Sequence, residues 1–384
     1  MKKLYIYRYI IMCCTAIGLA TGCITPYEPE VDWINDMLVV EGSIIAPYGT
    51  TITISRANEG SSSFYDPNKT TATVTLITDE GTVVATAKKA GSTYTITDSI
   101  SFQPGKKYAI HFQLDGKEYQ SEFVEPQITP EIDKVDYRYE KLQQIDIRVS
   151  THNDTPNAAR YYRWTYEEDW EIRSEYFASY IWDRETIERV TPDSPKNTFY
   201  CWKHNPSINF ILGATDRLNE NRIIDHKLIT IPRYDDRFSY IYSVLVHQYA
   251  LDRKAFEYFQ NIQKQIEDMG GLFAPQPTEI KGNITCLTHP EEIVIGYINA
   301  CTETTCRLYI NTYEFAEMGD VYDCRETQNF LLDDLDKAYG GGLAVLDIID
   351  ERFQLYKCIN RRCVDCTARG GTKNKPDFWP NDHQ

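Results

Sequence analysis

A short cationic, apolar leader that ends in a cysteine decides where this chain folds, and so which cross-links it can use. Lys2, Lys3 and Arg8 stand beside an uncharged, mostly apolar run of 11 residues, Ile10 to Ala20. A bilayer-spanning helix needs about 20 apolar residues, so this run reads as the core of a signal peptide. A chain with such a leader is expected to leave the reducing cytoplasm, and exported thiols pair by default. Beyond Cys23 there are eight: Cys201, Cys286, Cys301, Cys306, Cys324, Cys358, Cys363 and Cys366. The even number makes all eight candidates for disulfides. Seven of them follow residue 285, which predicts a stapled, loop-rich C-terminal region. Eight thiols allow on the order of a hundred complete pairings, and spacing does not choose among them. The rival use is a zinc site, or a redox pair at Cys363-Val364-Asp365-Cys366. No βαβ pattern surrounds that pair and no histidine stands near it at ligand spacing, so no metal and no cofactor is expected.

The leader closes on Leu19-Ala20-Thr21-Gly22-Cys23, which resembles the lipobox of bacterial lipoproteins. In that pathway residues 1–22 are removed, and Cys23 is lipidated and becomes the first residue. Two or more acyl chains, palmitate among the usual ones, anchor far better than one, because each buried methylene contributes about 0.8 kcal/mol. Residues 23–36 carry Glu28, Glu30, Asp32 and Asp36 and read as an acidic tether. Acidic residues soon after a lipidated cysteine resemble a surface-export signal, and a solvated linker accounts for them equally well. The expected location is the outer membrane, lipid-anchored, on the periplasmic or cell-surface face, with the surface favoured.

The whole chain has 40 basic and 56 acidic residues, a formal charge of −16. That balance excludes nucleic acid as a partner and disfavours electrostatic binding to anionic headgroups. Aromatic residues make up 13%, too many for a disordered chain. Tyrosine, at 28 residues, favours half-buried strand faces and also supplies stacking platforms for sugars or peptides.

Between 37 and 126 the pattern is strands and turns. Strands are predicted at 38–45, 51–55, 71–78, 83–87, 108–114 and 117–123. Asp115-Gly116 between the last two predicts a hairpin, because a type I′ turn needs positive φ at both centres. Such spacing suggests an immunoglobulin-like or transthyretin-like sandwich. Pro126 and Pro130 break the pattern and suggest a boundary. Residues 131–384 then read as a larger β-rich domain, with strands at 145–149, 161–167, 208–213, 227–231 and 238–246. One amphipathic helix is predicted over 251–269: Leu251, Ala255, Tyr258, Phe259, Ile262, Ile266 and Met269 share a face. The expected fold class is mainly β.

Three sets of residues carry a family resemblance. The first is Leu38-Val39-Val40-Glu41-Gly42-Ser43-Ile44. The second is Leu272-Phe273-Ala274-Pro275-Gln276-Pro277, leading to Gly282-Asn283-Ile284 and Ile295-Gly296-Tyr297. The third is the tail: Cys363-Val364-Asp365-Cys366, Gly370-Gly371 and Lys375-Pro376-Asp377-Phe378-Trp379. Together, over essentially the whole mature chain, they resemble the Bacteroidota lipoprotein family called domain of unknown function 4249. Members are often encoded beside TonB-dependent outer-membrane transporters. The resemblance therefore implies an accessory of nutrient uptake, with such a transporter as partner and an unidentified nutrient as ligand. It brings no catalytic residues. Read on its own, the tail predicts a turn at Gly370-Gly371 and an aromatic plug, Phe378-Trp379, that locks the C-terminus onto the body.

The sequence contains no His-Glu-x-x-His, no Gly-x-Ser-x-Gly and no Gly-x-x-x-x-Gly-Lys, the spacings for zinc, nucleophile and phosphate chemistry. No catalytic residue is assigned, and a binding or accessory role is the leading expectation. A surface glycosidase using a carboxylate pair is one rival; a structural or adhesive surface lipoprotein is the other. Glu167-Glu168-Asp169-Trp170-Glu171 mixes acids with an aromatic, as sugar sites do, but is expected to be a solvated strand end. Asp333-Asp334-Leu335-Asp336 lacks the spacing of a calcium loop and is expected to face solvent.

Overall fold

The computed structural model describes residues 37–47, 49–57, 71–207, 210–268, 282–311, 315 and 322–380. Cys23, the tether, residues 272–277 and the predicted helix end at Met269 lie outside them. The chain opens with β1 (Met37–Ala46), β2 (Thr50–Ala57), β3 (Thr73–Thr78), β4 (Val83–Thr86), β5 (Lys88–Ala90), β6 (Thr93–Ile96), β7 (Tyr108–Leu114) and β8 (Lys117–Ser121). Next come β9 (Ile132–Glu140), β10 (Gln144–His152), β11 (Tyr161–Arg173), β12 (Tyr180–Trp182), β13 (Ile187–Arg189) and β14 (Tyr200–Pro206). The middle ends with β15 (Ile211–Ala214), β16 (Arg222–Pro232), β17 (Ile241–Leu251) and helix α1 (Arg253–Asp268). The last part holds β18 (Ile284–Cys286), β19 (Val294–Ile295), β20 (Asn299–Asn311), β21 (Thr327–Leu331), helix α2 (Leu335–Gly340), β22 (Leu343–Asp350) and β23 (Leu355–Asn360). The fold is mainly β, as the strand-and-turn pattern predicts.

In β3 and β6 every second residue is buried, the mark of a sheet with one face on a core. The predicted β7–β8 hairpin is present: Asp115 and Gly116 have φ of 51° and 77°, and Leu114 pairs with Lys117. The layers β1–β2–β6–β5 and β8–β7–β3–β4 close on Val40, Ile52, Leu76, Phe112 and Tyr119. This sandwich is not built from 37–126 alone. β18 extends one layer beside β8, and β19 runs parallel to β1 in the other.

The β1 layer also continues into the rest of the molecule. Its sheet has ten strands in the order β14-β11-β17-β20-β1-β2-β6-β5, with β15 on β11 and β19 on β1. The first half of β1 lies along β19 and the second half along β20. At this change of partner three backbones come together, and glycine is what allows it. A Cβ on Gly296 (φ +146°) would sit 2.0 Å from the Val40 carbonyl oxygen, and one on Gly282 would sit 1.8 Å from that of Gly296. Gly42 (φ +150°) would meet Thr51 O at 2.4 Å. Asn283, buried here, accepts from the Ile298 N–H and donates to the Ile298 carbonyl, both at 2.8 Å. Two of the three family-like segments thus meet at one seam, where their job is backbone packing. Gly296→Ala is expected to cost about 1–3 kcal/mol through strain and crowding, read from the urea midpoint. Gly340→Ala, with ordinary φ and open space around it, should hold that midpoint or raise it slightly.

A second sheet, β16–β10–β9, packs on the central one through Ile145, Ile147, Ile231, Trp164, Val244 and Val246. The predicted strand 238–246 begins later, at Ile241, after a single 3₁₀ turn over Asp236–Phe238. The predicted helix also starts late. Leu251 ends β17, and Asp252 caps α1 by accepting from the Ala255 N–H at 2.7 Å. The apolar stripe does its expected work: Ala255, Tyr258 and Phe259 are buried with Leu251 and Tyr297.

The acidic run at 167–171 is not a solvated strand end. It lies within β11, between β14 and β17, and Glu168, Asp169 and Glu171 are 2%, 3% and 0% exposed. Alternate side chains leave β11 on opposite faces, and each buried acid has its own partners. Glu168 accepts from Tyr242 Oη and Arg237 Nη1, both at 2.7 Å, and from Asn205. Asp169 is held by His204 Nδ1 at 2.8 Å and Arg307 Nη1 at 3.4 Å. Glu171 accepts from Arg173 Nε at 3.3 Å and from Trp379 Nε1 at 3.1 Å. That last bond brings in the tail. Trp379 is buried as a plug, whereas Phe378 stays 43% exposed, 3.7 Å beneath the Arg307 guanidinium. Asp333, Asp334 and Asp336 face solvent, as expected.

Candidate ligand cavity

A cavity of about 310 Å³ lies between residues 178–198 and the described part of the C-terminal region, at the small end of the range for small-molecule sites. Three walls form it. One is the β12–β13 hairpin, whose turn is held by Asp183: its Oδ1 accepts from the N–H groups of Glu185 and Thr186. Those backbone bonds lower the Asp183 pKa. The hairpin docks through Ser179 N–H to Leu346 O at 2.8 Å and Trp182 Nε1 to Asp336 at 3.1 Å. The second wall is the sheet β21–β23–β22 with α2, contributing Leu335, Ala338, Tyr339 and Val345. The third is the 361–367 segment, contributing Arg361, Val364, Asp365 and Thr367.

Two disulfides hold that third wall. Cys363 bonds Cys324, and Cys366 bonds Cys201. The Cys-x-x-Cys motif is therefore a double staple and not a redox pair, since each sulfur is tied to a different part of the chain. Gly371 completes the fit: a Cβ there would lie 2.5 Å from the Cys201 Cβ. The other four candidate disulfide cysteines, Cys286, Cys301, Cys306 and Cys358, carry free thiols. The reason is placement. Cys286 lies in the sandwich core, Cys306 packs at the core between the two large sheets, and Cys358 is buried in the wall of the cavity. Cys301 shares β20 with Cys306, five residues away, so the two side chains leave on opposite faces. Burial pushes the Cys301 thiol up to about 12 and Cys358 up to about 11, which keeps both protonated and unreactive.

The residues that give the cavity its chemistry, Tyr180, Trp182, Lys196, Tyr339, Arg361 and Lys373, escape a reading of sequence. They come from five separate stretches, and only the Cys-x-x-Cys motif between Arg361 and Lys373 marks the place. Among the described residues no group of three or more His, Cys, Asp or Glu side chains is placed to hold a metal ion. No helix among them is long and apolar enough to cross a bilayer.

The family model for domain of unknown function 4249 (DUF4249) matches residues 24–307. The chain belongs to the DUF4249 family. No curated protein matches it. The matched span begins right after Cys23 and runs through the sandwich, the glycine seam and β17. It ends inside β20, so the DUF4249 match takes in the β12–β13 wall of the cavity and stops short of the other two. The tail motif lies outside it as well.

Proposed function

We propose that this DUF4249 protein is a lipid-anchored binding protein of the outer membrane that serves a TonB-dependent transporter by holding a small nutrient. The cavity carries the reading: apolar and aromatic walls of ligand size, clamped by two disulfides, suit a preformed site. The lipobox-like ending at Cys23 and the acidic tether support the anchor, and the frequent placement of family members beside TonB-dependent transporters supports the partner.

The test uses the full chain in its own cells. A tagged copy should co-purify with an outer-membrane transporter, and deletion should lower uptake of one nutrient several-fold. Cys23→Ala should move the protein out of the membrane fraction. If no transporter co-purifies and uptake of every nutrient tried is normal, the proposal fails.

A further inference from the structure

We infer that the cavity takes an amphiphilic anion, an apolar or aromatic body of roughly naphthalene size bearing one carboxylate, sulfonate or phosphate. This rests on the proposed binding role and names its ligand class.

The sign of the lining is the first ground. Acids outnumber bases 56 to 40 over the chain, yet the cavity is lined by Lys196, Arg361 and Lys373 against only Asp183 and Asp365. The second ground is which of these charges are already engaged. Asp183 is used in its own turn, as described above. Asp365 Oδ1 accepts from Thr367 N–H at 3.0 Å and Thr367 Oγ1 at 2.6 Å, while Oδ2 accepts from Arg361 Nε at 2.8 Å. Both carboxylates are thus committed to local turns.

Lys196 is itself paired, with Glu188 at 2.7 Å and Asp183 at 3.8 Å, and the two remaining cations are less committed. Arg361 gives Nε to Asp365, and among the described residues its two terminal nitrogens donate to nothing. Lys373 donates only to a neutral group, the Pro195 carbonyl. Arg184 has no carboxylate partner among the described residues and lies 4.7 Å from the Tyr339 ring centroid; Arg361 lies 5.0 Å from the same ring. A guanidinium with its fork open matches a carboxylate or phosphate in two-point geometry. Leu335, Ala338 and Val345 on the same lining supply apolar surface next to that anchor. Tyr180 and Trp182 then offer surface to the ligand's body. A cationic ligand would meet the Arg361 and Lys373 charges, and a neutral one would leave the Arg361 fork without an anion.

Two dyes with the same ring system test this on the disulfide-intact protein: 8-anilinonaphthalene-1-sulfonate and the neutral N-phenyl-1-naphthylamine. The sulfonate is expected to bind at least tenfold more tightly. Arg361→Gln and Lys373→Gln should each weaken it at least fivefold and leave the neutral dye unchanged. Lys373 is exposed, so its substitution does not put folding at risk. Ala338→Phe, which fills the cavity, should abolish binding of both dyes. Equal affinities, or a sulfonate indifferent to both charge substitutions, overturn the anion and leave the cavity standing. If neither dye binds, or both bind Ala338→Phe normally, the cavity reading falls and this inference falls with it.

Discussion

Glu168→Ala is expected to destabilise the protein by about 2–3 kcal/mol, the cost of leaving two buried donors without their acceptor. Glu168 is 2% exposed and accepts from both Arg237 and Tyr242. Burial acts to lower the Arg237 pKa, but Asp235 and Glu168 outweigh it and the net shift is upward. Tyr242 is raised well above the usual tyrosine value by burial and by the Glu168 charge. The geometry is that of a buried carboxylate holding a guanidinium and a hydroxyl donor at once. Removing the carboxylate leaves a guanidinium, 17% exposed at its side chain, with only Asp235, and a buried hydroxyl without its acceptor. The Glu168→Ala/Arg237→Ala double substitution should cost less than the two single losses added together, because the partners are coupled. Urea unfolding of the four proteins measures this. Strict additivity would mean that the pair is an accident of proximity.

Removing the Cys201–Cys366 bond by paired alanine substitution should cost about 2–5 kcal/mol, with the Cys324–Cys363 bond worth somewhat less. The ordering comes from loop length: the first bond spans 165 residues and the second 39. Closing the longer loop removes more freedom from the unfolded chain, worth about 1 kcal/mol extra in the entropic model. Either loss should also weaken dye binding, because the 361–367 wall is what the two bonds hold. Alkylation under denaturing, non-reducing conditions followed by mass spectrometry checks the pairing directly. Cys286, Cys301, Cys306 and Cys358 should be labelled, and the other four only after reduction. A disulfide found among those first four would overturn the assignment.

How much of this was legible depended on the range of the interaction. The Asp115-Gly116 hairpin and the α1 stripe could be read because both are written in consecutive residues with a fixed period. Element ends were less legible. Asp252 stops β17 and caps α1, so Leu251 suits either element by periodicity and only its register opposite Tyr161 assigns it to the strand. The acidic run misled for a clear reason. Composition marks a cluster of carboxylates as solvated, but Glu171 is answered by Trp379, 208 residues away, and no local rule contains that partner. The cysteines were half legible. Their number and compartment pointed to disulfides, but which thiols meet depends on which strands are neighbours.

The same division runs through the whole molecule. Sequence alone settled what is local or additive: the β class, the strand-and-turn rhythm of the sandwich, the amphipathic helix and the family resemblance that the matched model bears out. Tertiary structure alone decided what depends on long-range approach. It placed glycines 42, 282 and 296 at one crowded seam, completed the sandwich with strands from residues 284–295, split Cys363 from Cys366 and assembled the cavity. A backbone period repeats every few residues and is visible in a string, whereas a contact across 150 or more residues exists only once the chain has folded and its alternatives have been excluded by packing.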